Sequence, residues 1–207
     1  MWLPVAMLVG GILVGLVAGG RWRAVRGSGV RVWPIGVLGL ACSILPWIGD
    51  QSWTTGIIAL GWGLLIAFAL MNIHLTGMAI VAVGLSCNLL ALVANKAMPV
   101  RESAAIDAGL ATSETVATTE LGPGRRLAEP GDRVEVLTAI IPIPAFDMVV
   151  TFGDLIALVG LADVGFRLVK RRAPRHSAAR GPARAHAASK KRAAVPLPAW
   201  AAVPEPQ

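Results

Sequence analysis

Tyrosine is absent from this chain, cysteine occurs twice, and only 15% of its 207 residues are charged. A water-solvated domain carries about 25% charged residues, so the shortage argues against an ordinary soluble fold. The two cysteines, Cys42 and Cys87, lie inside apolar runs. An exported disulfide framework would place several in loops, so none is implied. They read as small buried thiols, and a bridge between them would require their helices to touch. Also missing are a GxxxxGK[ST] phosphate loop, an HExxH, a CxxC and a GxSxG elbow. The histidines are His74, in a tight turn, and His176 and His186 near the C-terminus. A serine nucleophile therefore has no evident base, and neither a metal site nor a cofactor is expected.

What is present is apolar sequence, 55% hydrophobic with a mean hydropathy of +0.66. Runs at 2–20, 32–49, 55–73 and 77–94 each hold about 18 or 19 residues, enough to cross a hydrocarbon core of about 30 Å as a helix. They lack the alternation of a barrel strand. A fifth run, 148–168, is interrupted by Asp154 and Asp163. The expected fold class is an all-α membrane protein with five transmembrane helices.

Orientation follows from the basic residues flanking these runs. Arg21, Arg23, Arg26 and Arg31 crowd the first loop, and residues 171–207 are strongly basic, whereas the segment 95–147 has more acids than bases. An outside N-terminus and a cytoplasmic C-terminus put every basic cluster inside. Nothing charged precedes the first run, so it reads as a retained span and not a cleaved signal. The tail, rich in Ala, Arg, Pro and Lys, cannot bury enough surface to fold. Its expected partners are membrane lipids with anionic headgroups, each basic residue near the surface being worth about 1 kcal/mol. Because the charge collects at membrane edges and in this tail, nucleic acid is not the expected partner. The domain reading is a five-span membrane domain at 1–170 followed by a disordered cytoplasmic tail.

Small residues recur at four-residue spacing as Gly11, Gly15 and Gly19, and as Ala59, Gly63 and Ala67. Such stripes let helix backbones approach closely, within the chain, in a homo-oligomer or against a membrane-protein partner. Trp2, Trp33, Trp47 and Trp53 fall near run ends, where indole rings prefer the headgroup region. Between spans four and five, 104–121 reads as a loose surface helix or irregular chain. After a loop rich in Pro and Gly, VEVLTAIIPIPAF is apolar but too short to span, and is expected along the outer interface or dipping into the bundle.

Polar residues within spans are the informative ones, since each costs free energy unless paired. Asn88 and Asn95 share a helix face, and Asp154 opens the fifth span. If spans four and five are neighbours, Asn95 donates to Asp154, with Lys96 or Arg101 as counter-charge, beneath the IIPIPAF segment. That cluster is a candidate site for a proton, a cation or a polar headgroup. The plainer reading is that Asp154 caps its helix or pins the proline segment. Asp163 is expected to pair with Arg167 at i+4.

Asn95 followed by Met98-Pro99-Val100, then the pair Pro142 and Pro144, then Gly153-Asp154 opening the last span, together resemble a family of small bacterial membrane proteins catalogued only as a domain of unknown function. The resemblance covers about residues 1–170 and implies that the Asn88–Asn95–Asp154 region is the family's shared feature. Where that family often has glycine after the Asn, this chain has Lys96. Three function classes stay open, ranked in this order: a non-catalytic accessory or scaffold protein of the inner membrane, a small transporter or channel subunit, and an enzyme acting on a lipid or lipid-linked substrate.

Overall fold

The computed structural model describes residues 3–27, 29–48 and 53–170. Trp2, residues 49–52 and residues 171–207, where the basic disordered tail was expected, lie outside the described residues. The protein is mostly helical. Its long helices are α1 (Leu3–Val17), α2 (Trp33–Ile44), α3 (Thr54–Met71), α4 (Thr76–Asn95) and α6 (Phe152–Lys170). Two of them, α3 and α4, are long and apolar enough to cross a membrane; α1 and the stretch Trp33–Trp47 are apolar but shorter. Helix α2 ends in a 3-10 turn, Leu45–Trp47, because Pro46 has no N–H to continue the α-helical ladder. The fifth apolar run begins as strand and becomes helical only at Phe152. Both thiols, Cys42 and Cys87, are free.

The helices pack in the order α1, α6, α4, α3, α2. The last helix in sequence thus sits between the first and the fourth, and glycine makes the room. A Cβ on Gly77 would strike the Gly160 carbonyl, one on Gly84 would meet the Ala157 nitrogen at 2.5 Å, and one on Gly160 would meet the Val81 nitrogen at 2.7 Å. On the other side of α6, Gly11 abuts Ala162, Gly15 abuts Phe166 and Val169, and Gly165 abuts Leu8. Contacts in which α1 and α6 ascend together make these two parallel, while α4 runs against α6.

Two of the expected packing positions fall elsewhere. Gly19 lies past the end of α1 with φ +88° and nothing within 4 Å of its would-be Cβ. Gly63 likewise faces open space, and Ala59 and Ala67 are only half-buried. The close approach of α3 is made by Gly61 against Gly39 and Ser43 of α2. Two residues turn a helix by about 200°, so the Gly63 side looks away from this contact.

The segment between α4 and α6 folds into a cap. Within 104–121, expected as a loose surface helix or irregular chain, a short helix does form up to Asp107 and turns follow. Ala104, Ala105, Ala108 and Val116, however, are buried, not loose. The elements of the cap are β1 (Met98–Val100), α5 (Glu102–Asp107), β2 (Arg125–Leu127), β3 (Ile141–Ile143) and β4 (Met148–Val150). Strand β1 pairs in parallel with β2, and β3 antiparallel with β4. Ala104, Ala105, Ala108, Val116, Ala139 and Val149 are buried in one core with Ile58, Ala91 and Leu92 of α3 and α4. Small alanines let α5 lie close to the strands, so cap and bundle share apolar contacts. The IIPIPAF segment supplies β3, where Pro142 is tolerated because the pair has open edges.

If glycine contact governs α6, Gly160→Ala will force the backbones apart and cost about 1–3 kcal/mol. Gly63→Ala will be neutral or stabilising by up to about 1 kcal/mol through helix propensity. Thermal unfolding of both variants in one detergent checks this; equal melting temperatures would remove the close-contact account.

Candidate functional site

Helix α6 opens with Thr151-Phe152-Gly153-Asp154, a capping box. The Asp154 N–H donates to Thr151 Oγ1 at 2.8 Å, and the Thr151 N–H donates to Asp154 Oδ2 at 3.0 Å. Asn88 of α4 then closes a ring: its Nδ2 donates to Asp154 Oδ1 at 2.7 Å, and Thr151 Oγ1 donates to its Oδ1 at 2.7 Å. Asn88 is 2% exposed and Thr151 1%. A Cβ on Gly153 would overlap the Asn88 carboxamide, so the glycine seats the amide. Among the described residues, no buried side-chain nitrogen or oxygen lacks a hydrogen-bond partner.

Beside this ring lies a cavity of about 50 Å³, lined by Asn88, Thr151, Asp154, Arg125, Trp62 and Met98 among others. It has room for a few water molecules at most. Arg125 Nη1 donates to the Val149 carbonyl at 3.0 Å, holding β2 against the strand that leads into α6. The basic residue facing the Asp154 cavity is therefore Arg125, not the expected Lys96 or Arg101. No group of three or more His, Cys, Asp or Glu among the described residues is placed to hold a metal ion.

Asn95 does not reach Asp154. The two sequence candidates on α4 are seven residues apart, about 10 Å along the axis, and because β4 occupies Met148–Val150, α6 starts level with Asn88. Asn95 instead staples the cap. Its Nδ2 donates to the Ala91 and Arg133 carbonyls, both at 2.9 Å, and its Oδ1 accepts the Arg133 N–H at 2.7 Å. The same device recurs at the other end of the bundle. Asn72, fully buried, donates to the Phe68 and Arg31 carbonyls at 2.9 Å and accepts the Arg31 N–H at 2.7 Å.

In both places the captured residue lies in Gly-x-Arg-Val, at 29–32 and at 131–134. The glycines have φ +63° and +102°, and Val32 and Val134 have φ +52° and +58°. A left-handed β-branched residue is strained, and the paired amide bonds to the preceding residue hold it there. The repeated four-residue pattern was visible in the sequence and is the signal that would have found these staples.

Of the other motif residues, Pro99 is buried within β1, Pro142 lies in β3, and Pro144 starts the exposed turn at Pro144–Phe146. Lys96 adopts φ +60° just past the end of α4, the left-handed position at which glycine is favoured. Asp163 pairs with Arg167 at 2.8 Å. In the cap, Arg126 binds Asp132, whose side chain is only 7% exposed. Hydrogen bonding by Arg126 holds the Asp132 carboxyl below its ordinary 3.8 against the opposing effect of burial, and the Glu129 N–H helps. The Asp132 carboxylate correspondingly raises Arg126.

Residues 34–164 match a family of unknown function (DUF5317). No curated protein and no solved structure matches the chain.

Replacing Lys96 by glycine relieves the left-handed strain and will stabilise the protein by about 1 kcal/mol, read as a raised melting temperature. The Asp132 contribution runs the usual carboxylate way. It is complete above the unfolded value and is lost as pH falls below about 4. The acid limb of a melting-temperature profile will be flatter in Asp132→Asn than in the parent protein.

Proposed function

The chain belongs to this family of unknown function, and we propose that it is a five-span inner-membrane protein acting as a non-catalytic accessory or scaffold. Its N-terminus and cap lie outside, and its basic tail lies in the cytoplasm. The observation that carries the non-catalytic reading is the closed ring of Asn88, Thr151 and Asp154. Its buried polar atoms are spent on one another, and the adjoining cavity is too small for an organic substrate. A catalytic carboxylate needs a reacting group within reach; Asp154 is occupied in starting a helix.

Support for the spanning reading comes from the outer faces of the helices. Leu13, Val14, Val37, Leu38, Leu60, Val83, Leu90, Val93 and Val159 are each more than half exposed, a surface suited to lipid. Exposed Trp22 and Trp33 mark one end of the bundle, and Trp47 and Trp53 mark the other. Helix α6 carries Asp154 in its first turn and Arg167 and Lys170 in its last, and Asp163, just past its midpoint, is neutralised by Arg167, which is compatible with such a layer. Transport along the α4–α6 seam is disfavoured because below Asn88 the two helices meet through Gly77, Val81, Gly160 and Val164, with no polar group to relay an ion.

The test is to express Asn88→Ala and Asp154→Asn from the native locus and purify each in native lipid particles. A structural role predicts loss of abundance by several-fold and loss of any stoichiometric partner with it. Normal abundance together with an abolished solute flux, or an altered lipid-precursor profile, would overturn the accessory reading.

A further inference from the structure

A groove of about 600 Å³ opens between the end of α2 and the cap, lined by Pro46, Thr54, Glu120, Gly122, Arg125 and Arg126 among others. We propose that it binds the headgroup of a zwitterionic phospholipid, a phosphodiester carrying an ammonium group. The proposal rests on the reading that the chain spans a membrane. It goes beyond that reading by assigning a lipid class to one place on the cap.

The charges select the ligand. Arg126 is already neutralised by Asp132. Arg125 spends one N–H on the Val149 carbonyl, which leaves the rest of its planar fork for a phosphate. Glu120 is exposed and has no hydrogen-bond or ion-pair partner among the described residues, and Glu129 makes only a 4.0 Å contact with Arg126. The groove thus offers one cation, Arg125, beside carboxylates that are largely uncommitted. Arg125 borders the Asp154 cavity as well but makes no ion pair among the described residues. A phosphate paired with an ammonium satisfies both signs, whereas an anionic headgroup meets carboxylate repulsion. Its volume lies within the range of small-ligand sites.

The position selects a lipid over a soluble phosphoester. Pro46 ends α2 and Thr54 begins α3, and beside them Trp47, Ile48 and Trp53 are 57%, 78% and 77% exposed. Indole rings at such a place sit at headgroup depth, so acyl chains can lie along α2 and α3 while the headgroup enters the groove. Gly122, with φ +90°, rests against the Trp47 ring, where a Cβ would come within 3.2 Å. The groove wall is therefore built directly on the interfacial tryptophan.

The experiment uses the full chain, reconstituted with equimolar phosphatidylethanolamine and phosphatidylglycerol and analysed by native mass spectrometry. Retention of phosphatidylethanolamine over phosphatidylglycerol by about tenfold is expected, as one charge-assisted contact supplies. Arg125→Gln should lower retention of both lipids, since both carry the phosphate, and Glu120→Gln should abolish the preference between them. Glu120→Gln guards against misfolding, since its side chain makes no described bond. Equal retention of the two lipids, an unchanged preference in Glu120→Gln, or displacement by soluble phosphoethanolamine at matched concentration would each overturn the proposal. Alkaline carbonate extraction separates the two failures. Release from the membrane sinks the spanning reading and this proposal together, whereas retention without lipid preference sinks this one alone.

Discussion

The backbone contact between α4 and α6 is the constraint from which the remaining geometry follows. Gly77 and Gly84 on one helix, and Gly153 and Gly160 on the other, stand seven residues apart, two turns each. The antiparallel pair therefore meets twice without a side chain between. In water such a pair would be weak, because glycine contributes no apolar area. Between lipid-facing helices, where burial gives little, close van der Waals contact is the main source of association. Glycine also sets the register: moving α6 by one turn would drive a side chain into a backbone carbonyl.

That register brings the start of α6 to the level of Asn88. A helix beginning within a bundle exposes N–H groups that no water satisfies. Thr151 and Asp154 answer part of this need locally, and Asn88 supplies the one donor and one acceptor that the box leaves unmatched. Gly153 then has two duties, admitting α4 and admitting the Asn88 amide. The Gly-Asp pair is thus explained without a substrate. Asn72 and Asn95 apply similar chemistry to loops, because a carboxamide presents a donor and an acceptor side by side, as a neighbouring strand would. Each staple captures a Gly-x-Arg-Val backbone and leaves the arginine side chain out of the bond.

Much of the fold was legible because its long helices are apolar and bounded by charge. The runs at 55–73 and 77–94 became α3 and α4 within a residue or two, and the α1 stripe at Gly11 and Gly15 does pack. The α3 stripe misled because small residues at four-residue spacing occur on either side of a helix, and spacing alone does not say which side has a neighbour. The cap was missed for a different reason. Its strands are three residues long and its core is built from alanines, so neither period nor hydrophobicity stood out. At the site, Asp154 was found because a carboxylate in an apolar run is conspicuous. Its partner was misassigned because depth was counted from the apolar run, and Met148–Val150, although apolar, is strand. Arg125 lay in a loop rich in Pro and Gly and gave no signal.

Lys96 shows the same physics at a corner. The chain turns left-handed at that residue so that β1 can fold back over Ala91 and Leu92. Glycine takes that turn without cost, whereas lysine takes it only because neighbouring bonds hold the corner: the Asn95 staple on one side, and Thr55 Oγ1 donating to the Lys96 carbonyl at 2.8 Å on the other. A residue tolerated against its own preference shows where the structure is over-determined. Here that place is the hinge between bundle and cap, so Asn95, the Met98-Pro99-Val100 strand and the Gly153-Asp154 pair describe one requirement, that the cap stay seated on α4 and α6.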